Sequence, residues 1–252
     1  MTQATERFSN RVENYIRFRP RYPQAVIEVL RANCQLTERD AIADIGSGTG
    51  ILAEMFLRNG NLVYGVEPNR RMREAGERLL RGYERFKSIN ATAEETTLPS
   101  MSVDFVTAGQ AFHWFDQTKA RREFKRILKS EGWVALVWNE RREDTTPFAR
   151  DYEQLLRSYG TDYEEVGHKR IDKETLQPFF GDDFHCETFE NRQSFDFEGL
   201  RGRLLSSSYA PEAGHPQHAP MLLELQRIFD KYQEDGQVTF EYDTNIYYGH
   251  LE

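Results

Sequence analysis

Three groups of residues have types and spacing suited to chemistry on a bound ligand. The first is Asp44 with Gly46, Gly48 and Gly50, glycines at alternate positions directly after the apolar run that starts at Ala41. Glycine lacks a Cβ, so such a turn brings backbone close to a ligand and adopts φ values that other residues avoid. Ile51, Leu52, Met55 and Phe56 follow at helical spacing. The glycines therefore join a strand to a helix whose first N–H groups face whatever lies there, and a nucleotide-like ligand suits that geometry. The dinucleotide fingerprint G-x-G-x-x-G is not met, because its third glycine would fall on Ile51. The second group is Glu67, at the end of the apolar run 62–66, with Pro68 after it. A carboxylate at a strand tip can accept both hydroxyls of a ribose, or it can cap the next helix; its spacing from Gly46 favours the ribose. The third is the string AFHWFD at 111–116. The unperturbed imidazole pKa lies near neutrality, so His113 can serve as a general base, or it can hydrogen-bond in a pocket wall. Trp114 is either a cavity wall or a core residue.

These residues need a frame, and the hydrophobic pattern predicts one. Short apolar runs at 62–66, Phe86–Ile89, 103–108 and 133–138 read as strands, together with the run ending in Asp44. Helical faces lie between them, on Val26, Val29 and Leu30, then on Met72, Ala75, Leu79 and Leu80, then on Phe124, Ile127 and Leu128. Gly60 is placed to end the helix after the glycine turn, and Asp116 to cap the one before strand five. Five alternations of strand and helix predict a parallel sheet with helices on both faces. Beyond Trp138 the pattern changes. Thr146 and Pro147 start a helix on Phe148, Tyr152, Leu155 and Tyr159. Residues 184–189 form a sixth strand, 197–235 hold two helical stretches, and 238–248 alternate as a final strand expected to pair antiparallel inside the sheet. The fold class is thus α/β, a doubly wound, mostly parallel seven-stranded sheet with an antiparallel last strand and helical cap insertions. Within this one domain, 1–22 form a leader, 23–140 the ligand-binding core, and 141–252 the rest of the sheet with the cap. Pro20 and Pro23 make the leader a short helix followed by an extended segment. Phe8, Tyr15, Phe18 and Tyr22 equip it either as a lid over a pocket, with Arg17, Arg19 and Arg21 meeting carboxylates, or as a strap on the surface. Ser206, Ser207, Ser208 and Tyr209 either hydrogen-bond a substrate or form a plain helix-end loop.

Composition narrows the function classes. The chain has 252 residues and a formal net charge of -8, so broad electrostatic binding of nucleic acid is not expected. Hydrophobic residues make up 38%, with 12 Tyr and 17 Phe, enough for a substantial core. Cys34 and Cys186 stand far apart without metal-ligand spacing, so free thiols and no metal site are expected. No apolar run reaches the ~20 residues of a membrane helix. The polar N-terminus lacks a signal-peptide core, and a cytoplasmic protein, monomeric or homodimeric, is expected.

The pattern D-x-G-x-G-x-G at 44–50 resembles the first motif of class I S-adenosylmethionine-dependent methyltransferases. The leader string RFRPRYP at 17–23 and the AFHWFD string resemble the methyltransferase type 11 group, which includes trans-aconitate methyltransferases. The resemblance implies a Rossmann-like methyltransferase fold and S-adenosylmethionine as cofactor. Its methionine end would lie along Asp44, Gly46, Ser47, Gly48 and Gly50, its ribose by Glu67 and Pro68, and its adenine by Thr92 and Ala93. Gln110 completes the motif set. Many relatives carry Asp where this chain has Thr92, so main-chain groups at Ala93 are left to read the ring. The Asn/Asp-Pro-Pro-aromatic string of amino methyltransferases is absent, and neither cysteine lies near the tip of strand four. The AFHWFD string instead resembles small-molecule members of the group, which implies a small-molecule acceptor, a carboxylate or a hydroxyl, with Tyr15, Arg19, Tyr22 and Trp114 on the substrate and lid side. A methyltransferase for RNA or protein, and a cofactor-binding module without catalysis, are the alternatives.

Overall fold

The computed structural model describes residues 11–163, 171 and 173–251. Residues 1–10, which include Phe8, lie outside the described part of the leader. The sheet has seven strands: β1 (Ala41–Ile45), β2 (Leu62–Val66), β3 (Phe86–Ile89), β4 (Val103–Gly109), β5 (Leu128–Arg141), β6 (Phe184–Phe195) and β7 (Val238–Gly249). Their order across the sheet is β3-β2-β1-β4-β5-β7-β6. Neighbours from β3 to β5 run parallel, while β7 pairs antiparallel with both β5 and β6. The expected architecture is the observed one. The point where the order reverses lies between β1 and β4, and in a doubly wound sheet ligands bind in the crevice beyond that point.

Nine helices punctuate the described chain: α1 (Val12–Phe18), α2 (Ala25–Cys34), α3 (Ile51–Arg58), α4 (Arg70–Leu80), α5 (Gln117–Ile127), α6 (Pro147–Tyr159), α7 (Lys173–Phe180), α8 (Phe197–Leu205) and α9 (His218–Tyr232). Buried residues of α2 and α3, with Leu80 of α4, pack on one face of the sheet. Phe124 and Ile127 of α5 and Phe179 and Phe180 of α7 pack on the other. A third core joins α6, α8 and α9 to Phe195 and to Val238, Phe240 and Tyr242 at the start of β7. This is the cap, and it stands on the part of β6 and β7 that outruns the rest of the sheet.

Local chemistry sets the boundaries. Gly60 takes φ 97° just after α3, the left-handed stop expected of it. Asn69, Asp116, Thr146 and Asp196 each accept a main-chain N–H of the helix they precede. Four boundaries differ from the sequence reading. β5 and β6 are longer than 133–138 and 184–189, because β7 pairs with β5 as far as Arg141 and with β6 along its whole length, β4 pairs with β5 at Leu128, and these ladders take in residues with no apolar signal. The alternation of the last strand holds only to Tyr242; from Thr244 both faces are covered and side chains on both are buried. Helix α7 carries Pro178 and was not visible as a periodic segment. Cys34 is buried, Cys186 is exposed, and both are free thiols. No helix among the described residues is long and apolar enough to cross a membrane.

Candidate functional site

The glycine turn is fixed by its own hydrogen bonds. Gly46, Gly48 and Gly50 take φ of 67°, 57° and 87°, values that a side chain would strain. A Cβ at Gly46 would also meet Ala111 at 2.6 Å, and one at Gly50 would meet Leu80 at 2.5 Å. The N–H groups of Gly46 and Ser47 both donate to the Val66 carbonyl, at 2.8 and 3.1 Å, and Gly50 donates to Ser47 at 2.8 Å. Gly48 N–H donates to Glu67 Oε2 at 2.9 Å. This corrects the expectation that the turn leaves its N–H groups for a ligand. Four of them are already used, so the turn offers a close backbone surface and not an anion nest of the kind a phosphate takes.

Glu67 sits at the tip of β2, 8% exposed. Its Oε1 accepts Asn69 N–H at 2.7 Å, while Asn69 Oδ1 accepts Met72 N–H at 3.0 Å. Asn69, not Glu67, is therefore the cap of α4. Glu67 holds the turn and the helix start together, and the remaining lone pairs of its two oxygens face a cavity. Burial pushes its carboxyl above the usual range, opposed by the two main-chain donors.

Asp44 on β1 is fully buried. Its Oδ1 accepts from Thr107 Oγ1 of β4 at 3.3 Å, and Oδ2 makes no hydrogen bond. Burial pushes its carboxyl up to about 7, against the opposing pull of the Thr107 hydroxyl and the Ala53 main chain. A buried carboxylate oxygen beside a cavity calls for a cationic or donor ligand.

Two cavities meet on this turn. The first, about 200 Å³, is lined by Asp44, Ser47, Tyr22, Arg19, His113 and Trp138, and reaches Arg141 and Arg203. The second, about 180 Å³, is lined by Glu67, Pro68, Thr92, Ala93, Trp114 and Phe115. Tyr15, Gly46, Gly48, Gly109 and Gln110 line both. Thus all the expected site residues but Gly50 face one cavity or the other, and Gly50 serves as the turn's exit into α3. Trp114, read with the substrate side, lies instead in the second cavity with Thr92 and Ala93. His113 lies in the first, its ring 4.4 Å from that of Trp114 and 5.1 Å, edge on, from that of Trp138. Gln110 holds φ 55° and spends its side chain on Asn139: Oε1 accepts Asn139 N–H at 2.5 Å, and Nε2 donates to the Asn139 carbonyl at 3.3 Å. It clamps the tips of β4 and β5 while lining both cavities.

The leader crosses the first cavity. Tyr22 packs against Gly109 so closely that a Cβ there would lie 2.5 Å from the phenol oxygen. Phe18 fills the hollow left by Gly202 on α8, where a Cβ would stand 2.0 Å from the ring. Arg19 Nη2 donates to the Ser206 carbonyl at 3.0 Å, and Arg11 donates to the carbonyls of Ser207 and Ala210. Ser206 and Ser207 are fully buried. Their hydroxyls bond to Arg203, so they latch the leader and face no substrate. The Arg21 carbonyl accepts from Asn139 and Asn191 at 3.4 and 2.7 Å.

Several contributors carried no sequence signal. Asn139 joins Gln110, the leader and Thr244 of β7. Glu123 accepts Thr96 N–H and Oγ1–H at 2.8 and 2.6 Å and pairs with Arg126, which fixes the loop after Ala93. Arg141 and Arg203 also reach the first cavity. Only the tertiary fold brings them there.

Residues 43–136 match the family described as "Methyltransferase domain". An uncharacterized methyltransferase of Mycobacterium tuberculosis is 35% identical over 136 residues, 54% of this chain and 53% of the relative. One of Schizosaccharomyces pombe is 29% identical over 153 residues, 59% and 58% of the two. The chain spans about half the length of the curated relatives it matches. Among solved structures, a candidate type II methyltransferase of Anaeromyxobacter dehalogenans superposes with a TM-score of 0.65 at 21% identity, covering 92% of this chain and 98% of that one. The YcgJ protein of Bacillus subtilis gives 0.59 at 20%, covering 91% and 99%. At such identities the likeness is one of fold. The chain has the Rossmann-like methyltransferase fold, and residues 43–136 of its core match the methyltransferase domain family. None of these four relatives is described as acting on trans-aconitate.

Proposed function

We propose, from a core that carries a methyltransferase domain, that this protein transfers a methyl group from S-adenosylmethionine to a small molecule, at a carboxylate or a hydroxyl. The observation that carries the reading is the meeting of two cavities on the Asp44–Gly50 turn. One is mostly apolar and reaches Glu67; the other is polar and closed over by the leader. The residues present fit the cofactor. Asp44 Oδ2, buried and unbonded, suits the ammonium of its amino-acid end. Glu67 keeps lone pairs for ribose hydroxyls, and Trp114 and Phe115 with Ala93 make a slot for a flat ring.

When bound, S-adenosylmethionine supplies a sulfonium methyl: its C–S bond breaks with the electron pair going to sulfur as the acceptor oxygen forms the new C–O bond. The protein's share is alignment, for which ~7–11 kcal/mol of barrier lowering is available when two reactants are held in line. The leader excludes water from the first cavity. Tyr15 and Tyr22 border it and can favour a cationic centre by about 0.5–2 kcal/mol each. A carboxylate acceptor needs no base. A hydroxyl acceptor gives its proton to a base, and His113 is the imidazole in that cavity. A cavity of about 200 Å³ suits a small molecule better than a polymer. Two free thiols fit a reducing cytoplasm. The test is a screen of small acids, phenols and amines with methyl-labelled cofactor. Label in an acid or hydroxyl compound is expected; label only in RNA or protein, or in nothing while cofactor binds, overturns the reading.

A further inference from the structure

The first cavity has a set of basic residues that the transfer reading does not use. Arg19 from the leader, Arg141 from the tip of β5 and Arg203 from α8 all line it, with Tyr209 and Tyr242 between them. Arg203 is only 7% exposed, yet its partners are neutral: Nε donates to Tyr242 Oη at 3.4 Å and Nη1 to Ser207 Oγ at 3.2 Å. Arg19 bonds only the Ser206 carbonyl and lies over the Tyr15 ring at 5.0 Å; its Nε is buried without a hydrogen bond. Arg141 pairs through Nη2 with Glu153 at 2.6 Å, and its Nη1 is buried and unbonded. Glu153 is further shared with Arg157 and the Tyr163 hydroxyl. Neither Arg19 nor Arg203 makes an ion pair with any described residue. Glu140 and Glu143 line the cavity but do not pair with these two guanidinium groups.

Two guanidinium groups with no ion-pair partner among the described residues, one of them buried, are costly unless an anion joins them. Burial first, and then the neighbouring charge of Arg203, lower the pKa of Arg19. Guanidinium forks suit planar oxyanions, which accept two parallel N–H bonds.

We propose that Arg203 and Arg141, with Arg19 closing from the leader, form the binding site for an oxyanion on the methyl acceptor, a carboxylate or a phosphate. The identity of the ligand as methyl acceptor rests on the transfer reading. Because the three arginines come from three separate segments, the same anion ties the leader to the cap and to β5, and a neutral substrate analogue leaves the leader held by its own contacts alone.

The test uses the full chain saturated with S-adenosylhomocysteine, whose own carboxylate is then already placed. Short mono-, di- and tricarboxylates, the matching amides, and inorganic phosphate are titrated calorimetrically into the wild type, into Arg203→Gln and into Arg141→Gln. Carboxylates are expected to bind at least tenfold tighter than their amides, and each substitution to remove about tenfold or more of that preference while homocysteine-product affinity stays within twofold. Phosphate competing with the carboxylates, or binding in their place, assigns a phosphorylated acceptor to the same site. The wild-type arm decides even if a variant misfolds: amides binding as well as acids, or no oxyanion binding at all, overturns the proposal. So does a loss of S-adenosylhomocysteine affinity in folded variants with the acid preference intact, since the arginines then serve the cofactor. Failure of the wild type to bind S-adenosylhomocysteine is a different result and counts against the transfer reading.

Discussion

Glu67 Oε2 accepts the main-chain N–H of Gly48 at 2.9 Å, so the acid at the tip of β2 builds the glycine turn as well as facing the ligand cavity. Glu67→Ala removes acceptors from two main-chain donors, Gly48 and Asn69, and an unsatisfied buried donor costs about 1–3 kcal/mol. The variant is expected to melt several degrees lower without ligand and to bind S-adenosylhomocysteine at least tenfold more weakly. Glu67→Gln keeps one acceptor and is expected to recover much of the melting temperature but little of the affinity. Recovery of both together in differential scanning and titration calorimetry would mean that Glu67 only shapes the turn.

Asp44 provides a pH signature. Its carboxyl is pushed up to about 7 in the fold against an ordinary value near 4, so the folded state holds the proton more tightly than the unfolded chain. The stability this gives is complete below the ordinary value and is lost as pH rises through about 7. Asp44→Asn is therefore expected to gain stability over wild type between pH ~4 and ~7 in the free protein, with the gap constant above that. Cofactor affinity of the wild type is expected to rise through the same window as the carboxylate forms opposite an ammonium. That of Asp44→Asn should be weaker and flat. Parallel curves for the two proteins in denaturation from pH 4 to 9 would contradict it.

The leader is docked on the cap by the fit of Phe18 into Gly202. Gly202→Ala places a methyl 2.0 Å from the ring carbon and must displace it, although alanine itself favours the helix by roughly 1 kcal/mol. Trypsin is expected to cut after Arg17 or Arg21 faster in the variant, with ligand protecting the wild type and not the variant. Turnover should fall tenfold or more while cofactor affinity changes little, because an open cavity admits water. Equal cleavage rates and full activity in the variant would reduce the leader to a strap.

His113 separates the two acceptor chemistries. For a hydroxyl acceptor, His113→Asn is expected to lower kcat by roughly 10²–10⁴-fold and to remove the acid limb of the pH–rate profile. For a carboxylate acceptor the loss should stay under about tenfold with the profile unchanged in shape, and steady-state kinetics across pH reads the difference.

Most of the sheet was legible because strands buried on both faces read as apolar runs, and the glycine turn because three positive φ values demand glycine. Glu67 was legible through its place in a strand–helix–strand unit, whereas Thr92 and Ala93 were legible only through the family resemblance. The outer halves of β5 and β6 were not, since their pairing partner β7 lies far along the chain, with Arg141 opposite Tyr242 and Phe195 opposite Val238, and leaves no local mark. Asn139, Arg141 and Arg203 were silent for the same reason: each is an ordinary polar residue until the fold buries it. Ser206 and Ser207 suggested a substrate contact by type, yet their carbonyls, which no sequence pattern displays, hold the leader.

The central claim, a turn built for S-adenosylmethionine and not for a phosphate-bearing dinucleotide, is tested most directly by isothermal titration of the purified wild type with S-adenosylhomocysteine and, separately, with oxidised and reduced nicotinamide dinucleotides. The turn's N–H groups are committed to Val66, Ser47 and Glu67, so a pyrophosphate finds no donors there. One-to-one binding of S-adenosylhomocysteine at micromolar affinity or better, with no heat from either dinucleotide, is the expected result. Tight dinucleotide binding with no response to S-adenosylhomocysteine would contradict the account.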